Sequence, residues 1–461
     1  MAARTPNDRL ARLIEEAGFS HKSFARAVRD ASEHAGTPIG CDHTSVSRWL
    51  QGMQPRADAA GLIIATLSRV LGRTVTLSDA GLTSSTKLPL DLGLTYPEEL
   101  AEGVETVTQL WQADLDEASV VLKGQISAPA WNDASLAWLL APPLSVDAGG
   151  HGARVGDADI TRFRATIDLF AQMDNRFGGE HARRSFIHYL TTDGTRLLRG
   201  QASEKTRRRL FSEVAEATLL AAWMSYDSGL HGLAQRYFVQ ALGLAQAAND
   251  RLLAASILDA MSHQATFVGR YREAASLARA ARQGTTGVAT PTLTAHFHAM
   301  EARALARLGD ASACDRALAH AVREFERRNP DDDPEWIRYF DDAELAAEFG
   351  HCFRDLGRPV VASQYAAQCL GSSGDGTYLR SDFFATMVLA DAHLGAGEAE
   401  QACSVVLDAL KLGEQLRSAR CASYLREFAE RLASVGKSPA LAGFHEQAAD
   451  FSLWRQVSGA Q

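Results

Sequence analysis

Five glycines, Gly229, Gly269, Gly309, Gly357 and Gly397, stand 40, 40, 48 and 40 residues apart, and small residues keep step with them. Five positions after each lies Ala234, Ala274, Cys314, Ala362 or Ala402, and twelve after each lies Ala241, Ala281, Ala321, Cys369 or Ala409. Seven before each stands Ala222, Ser262, Ala302, Gly350 or Ala390. A glycine that stops one helix, followed by a helix with small residues seven apart, describes a hairpin whose arms approach closely. Repetition at a fixed period implies that each hairpin buries its apolar face against the next. The eight extra residues between Gly309 and Gly357 coincide with Asn329-Pro330-Asp331-Asp332-Asp333-Pro334-Glu335, an acidic, proline-bounded stretch that reads as a solvated connection.

Composition agrees with a helical reading. Of 461 residues, 46% are hydrophobic and 22% charged, near the globular average, which excludes wholesale disorder. Ala, Leu, Arg and Glu recur at helical spacing while alternating β-branched and aromatic runs are almost absent, so an all-α protein is expected throughout. No stretch approaches the roughly 18 consecutive apolar residues of a membrane span, and the charged start MAARTPNDRL lacks the apolar region of a leader, so a cytoplasmic protein with no membrane partner is expected. Six cysteines without a C-x-x-C pair point to small core residues rather than a disulfide framework or a zinc site. Residues 1–82 hold ten basic and eight acidic side chains, against 37 and 48 in the remainder. The polar run Thr83-Ser84-Ser85-Thr86-Lys87, with Pro89 behind it, reads as a linker. The expected domains are therefore 1–82, an irregular helical region over 83–200 that includes Trp111, Trp131 and Trp138, and the repeats over 201–461, closed off by helices after Leu416.

Within residues 1–82, apolar spacing predicts a helix on Leu10, Leu13, Ile14 and Ala17, stopped by Gly18, and a second on Phe24, Ala27, Val28 and Ala31, capped by Ser20. A third runs from about Asp42 to Gln51 with Val46, Trp49 and Leu50 inward and Thr44, Ser45, Ser47, Arg48 and Gln51 outward. A fourth carries Ile63, Leu67, Val70 and Leu71 inward and stops at Gly72. A short helix that presents hydroxyls, an amide and an arginine over an apolar underside suits the major groove, where arginine grips guanine with two donors. Lys22, Arg26, Arg29 and Arg56 are candidates to hold the phosphate backbone.

The run S-V-S-R-W-L-Q-G-x-x-P-R followed by L-G-R-x-V-T-L-S-D-A-G-L resembles the helix-turn-helix domain of XRE-type (Cro/repressor-like) regulators, in particular the large actinobacterial ones that join it to tetratricopeptide repeats. The resemblance assigns Ser45, Ser47, Arg48 and Trp49 to the recognition helix, with Trp49 structural. The turn from Gly36 to Asp42 is longer than the usual three or four residues. The small-Gly-small-small order of the repeats resembles the tetratricopeptide repeat, typically about 34 residues long, and so implies a right-handed solenoid whose first helices line a concave face. Counting six residues back from each glycine then gives the inward positions Trp223, His263, Arg303, His351 and Asp391. Tyr226, Asp227, Asp259, His296, Arg307, Glu344, Glu348 and Arg354 are expected to share that face. The arginines are suited to a carboxylate or phosphate, and Trp223 and Tyr226 to a flat or apolar group.

No H-E-x-x-H, G-x-S-x-G or Walker-type run is present, His296 and His298 are too isolated for a metal site, and Gly178-Gly179-Glu180-His181 reads as a turn before a helix. Neither catalytic residues nor a cofactor is assigned. The expectation is a non-enzymatic, sequence-specific transcriptional regulator. Its head binds an operator in double-stranded DNA as a homodimer, and its solenoid receives a peptide or small-molecule signal. In layout it is similar to the peptide-sensing helix-turn-helix regulators of Gram-positive bacteria. The alternative is a repeat scaffold for partner proteins without specific DNA binding, which the weak basic excess of the head favours.

Overall fold

The computed structural model describes residues 6–34, 38–73, 75–77, 79–82, 88–140, 152–372, 378–435 and 439–459. The expected linker Thr83–Lys87 lies outside them, as do Gly36 and Thr37 of the long turn. Among the described residues the protein is helical and forms no β-strand. It divides into two compact units, Met1–Leu90 with Trp111–Leu122, and Asp91–Leu110 with Lys123–Gln461.

The first unit is built on α1 (Asp8–Glu16), α2 (His21–His34), α3 (His43–Leu50) and α4 (Ala57–Leu71). Asn7 ties its start together. Its Oδ1 accepts from Leu10 N (3.0 Å) while its Nδ2 donates to the carbonyls of Ala80 (2.9 Å) and Gly81 (3.0 Å). Gly18, in the left-handed region at φ +70°, turns the chain out of α1, and Ser20 and Ser23 cap α2 reciprocally, side chain to backbone. Leu10, Ile14, Phe24, Val28, Val46, Trp49, Ile63 and Leu67 fill one core. Val70, expected inward on α4, is 45% exposed instead, because the buried stripe of that helix runs through Ala60, Ile63 and Leu67. Part of α5 (Leu100–Leu115) and α6 (Ser119–Leu122) complete this unit, with Trp111 fully buried.

The second unit contains α7 (Ala128–Leu140), α8 (Asp157–Phe177), α9 (Gly179–Tyr189), a π-helical turn at Leu190–Gly194, and α10 (Thr195–Leu198). Five hairpins follow: α11 (Glu204–Asp227) with α12 (His231–Ala248), α13 (Arg251–Phe267) with α14 (Tyr271–Gly284), α15 (Pro291–Leu308) with α16 (Ala311–Glu326), α17 (Asp342–Asp355) with α18 (Pro359–Ser372), and α19 (Leu379–Gly395) with α20 (Ala399–Gly413). After them come α21 (Ala419–Leu432), α22 (Pro439–Ala448) and α23 (Ser452–Ser458). Each repeat glycine sits at the bend of its hairpin with φ between +67° and +84°, where a Cβ would be strained. The small residues that keep step with them are buried at every position.

The first helix of each hairpin packs on the first helix of the next, from α11 through α13, α15, α17 and α19 to α21. These six helices form the inner layer of a helical array. The described part of the irregular helical region over 88–200 packs on the repeats. Helix α7 packs on α12 and α14, with the buried Trp138 under the Arg251 guanidinium at 4.8 Å. Helix α8 touches both α11 and α19, so the array curves until its two ends meet. At that seam Arg417 N donates to Phe177 O (2.7 Å) and Gly179 N to Asp227 Oδ2 (2.9 Å). Gly178 and Gly179 permit the approach: a Cβ would lie 2.5 Å from Arg417 O on the first and 2.6 Å from Met224 O on the second. The acidic stretch after Asn329 is likewise not merely solvated, since Asp333 is buried and its Oδ2 accepts from Thr292 Oγ1 at 2.6 Å.

Candidate functional site

On the first unit, α3 is started by Asp42, whose Oδ1 accepts from Ser45 N (2.8 Å), Ser45 Oγ (2.9 Å) and Thr44 Oγ1 (2.7 Å). Those hydrogen bonds hold the Asp42 carboxyl well below the usual carboxylate range. Ser47 Oγ donates to His43 O at 3.0 Å. The hydroxyl protons of Thr44, Ser45 and Ser47 are thus committed locally, and these groups face outward chiefly as acceptors. Lys22 and Arg26 on α2, Arg48 on α3, Gln51 just after it and Arg56 before α4 are all exposed, with no side-chain hydrogen bond or ion pair among the described residues. Arg29 differs, because its guanidinium donates to Cys41 O at 3.4 Å.

In the second unit, every residue of the expected inward column lies on an inner-layer helix: Trp223, Tyr226 and Asp227 on α11, His263 on α13, His296, Arg303 and Arg307 on α15, and Glu344, His351 and Arg354 on α17. They meet as a paired network. Asp259 Oδ2 lies 2.5 Å from His296 Nδ1, and Arg303 donates to Glu348 across 45 residues of chain. Arg354 donates to Asp355 (2.7 Å) and faces Asp391 (3.6 Å), which accepts from Arg431 (2.6 Å). Arg307 donates to Tyr271 Oη (3.0 Å) and pairs with Asp355 (3.5 Å). Asp227 is a hub: besides Gly179 N it accepts from Ser418 Oγ (2.9 Å), and Arg380 and Arg420 stand 3.4 and 3.8 Å away. Arg380 also donates to Asp174 of α8 at 2.9 Å.

Burial shapes the protonation of this network. It pushes His263 and His351 well below the ordinary imidazole value, helped by the nearby charges of Arg420 and Arg303, so both are neutral at pH 7. For His296 burial acts the same way, but the Asp259 carboxylate overrides it and the pKa is raised. Burial, then the Glu348 charge, pushes Glu344 up to about 7. His263, Glu344 and Trp223 nonetheless keep part of their surface, and Tyr339, whose hydroxyl lies 3.4 Å from His296 Nε2, keeps 44%.

Asp174, Arg380, Arg420 and Tyr424 belong to the network but were not among the residues expected there. A signal existed for three of them. Tyr424 lies forty residues after Phe384 and eighty after Glu344, and Arg420 lies forty after Arg380, so the repeat period carried beyond Leu416 reaches them. Asp174 lies outside the periodic stretch and nothing local marks it. In comparisons with known proteins, residues 10–83 match the family model described as the SP15 N-terminal domain, and no curated protein matches the chain.

Proposed function

We propose that this chain is a DNA-binding transcriptional regulator of the XRE type whose tetratricopeptide-like array holds a signal molecule in its interior and carries the dimer contacts. The observation that carries the reading is the exposed set Lys22, Arg26, Arg48, Gln51 and Arg56, polar groups without partners among the described residues on and beside a short helix with an apolar underside. Because the Thr44, Ser45 and Ser47 hydroxyls are committed locally, Arg48 and Gln51 carry base reading, while Lys22, Arg26 and Arg56 hold phosphates. A homodimer doubles the few base pairs that one such domain reaches.

One observation favours protein docking by the first unit instead: the Asp42 carboxylate places negative charge at the start of α3, where a phosphate would otherwise sit. A fluorescence-anisotropy titration with DNA recovered from a random pool separates the two. Arg48→Ala is expected to weaken binding to the selected sequence by about 1–3 kcal/mol with the fold intact. Equal affinity of the native and variant proteins for every duplex would favour docking. Light scattering of the full chain checks the dimer.

A further inference from the structure

Arg420 is a buried charge of the inner layer that is poorly satisfied. Its side chain is 8% exposed and its guanidinium lies over the rings of Phe384 (4.4 Å) and Tyr226 (4.6 Å). Its nearest carboxylate, on Asp227, is 3.8 Å away and already accepts from Gly179 and Ser418, and its Nε–H has no acceptor. A buried guanidinium in this state is costly unless something supplies acceptors. The same deficiency recurs close by: Arg303 Nε and Arg354 Nη1 also lack a hydrogen-bond acceptor, and so does the neutral ring of His351 at Nδ1.

These groups surround one place. Tyr226 bonds His263 (3.1 Å), the His351 ring lies 5.9 Å from Tyr424, and Tyr424 stacks on Phe384 (4.8 Å) under Arg420 and faces Arg354 (5.6 Å). Arg303, paired with Glu348, stands on α15 against α17, the helix that carries Glu348, His351 and Arg354. Guanidinium N–H groups only donate, so a cation or an apolar guest leaves them as they are, whereas an oxyanion with two or three oxygens answers several at once. His263, bonded to Tyr226 at this spot, retains accessible surface.

We propose that the interior of the array is an anion-binding site in which Arg420, Arg354 and Arg303 hold a carboxylate or phosphate group of a small ligand, with His351 and Tyr424 beside it. This names the ligand class of the signal site proposed above and rests on that reading for its biological meaning, but its test does not involve DNA.

The test is isothermal titration of the full chain at pH 7 and constant ionic strength, with inorganic phosphate in one arm and succinate in the other. A saturable single-site heat is expected in at least one arm, and the arm that responds assigns the group. Arg420→Gln is expected to weaken it at least about tenfold, while Arg272→Gln, an exposed cation on α14, leaves it unchanged. If Arg420→Gln does not fold by circular dichroism, the neutral exchange His351→Gln takes its place, with a several-fold loss expected. No saturable heat in either arm, as for an interior filled by water alone, overturns the proposal, and so does undiminished affinity in the folded variant. Should anion binding fail while selected DNA is still bound, only this inference falls.

Discussion

The inner-layer histidines are the residues at which burial has the most measurable consequence. His351 is neutral in the folded protein to well below the ordinary value near 6.5, whereas in the unfolded chain it takes up a proton as pH falls through that value. The unfolded state then binds more protons, so folding stability drops with acidification below about pH 6.5, by at most about 1.4 kcal/mol per pH unit for each such histidine. His351→Gln is expected to flatten the fall in stability between pH 6.5 and 5 relative to the native chain, as measured by urea unfolding. Identical slopes would place His351 in solvent. The sequence made His351 visible as an inward residue by its count from Gly357, but not its neutrality, since that comes first from burial by the packed helices and then from charges such as Arg303, which arrives from a helix 48 residues away.

The hairpins are legible because glycine and alanine do different things at fixed distances: Gly309 accepts a positive φ of +76° that ends α15, and the small side chains of Cys314 and Ala321 let α16 lie close to it. The seam between α8, α11 and α19 was not legible, because the groups that make it share no period. It rests on the Asp174–Arg380–Asp227 cluster and on two glycines. Removing one charge leaves the others buried, so Arg380→Met is expected to cost about 3–5 kcal/mol in chemical denaturation. The double variant Asp174→Asn/Arg380→Met should recover part of that loss, and a double variant no better than the single would mean that the pair is not coupled. Gly179→Ala, which brings a methyl group to 2.6 Å from Met224 O, is expected to cost about 1–3 kcal/mol by the same measurement.

At the scale of the whole molecule, two units with separate cores carry two different chemistries. One presents Lys22, Arg26, Arg48, Gln51 and Arg56 on its surface without partners among the described residues, and the other gathers Arg303, Arg354 and Arg380 into a buried paired network. The division after Leu82 was drawn from charge and a polar run, and the unit built on α1–α4 also takes in Trp111–Leu122, which no composition shift announced. The contrast follows from pairing. In the array Arg303, Arg354, Arg380 and Arg431 each meet a carboxylate from a neighbouring helix, whereas Lys22, Arg26, Arg48 and Arg56 meet none among the described residues. If these cations hold phosphates as proposed, their contribution is expected to fade as salt is raised.

The most direct measurement is therefore selection of duplex DNA from a random pool by the full-length protein at physiological salt, with Arg48→Ala run in parallel. A discrete sequence is expected to be enriched by the native protein and not by the variant, with affinity for it falling steeply as salt is raised. Recovery of an unenriched pool, or enrichment of the same sequence by Arg48→Ala, would contradict it.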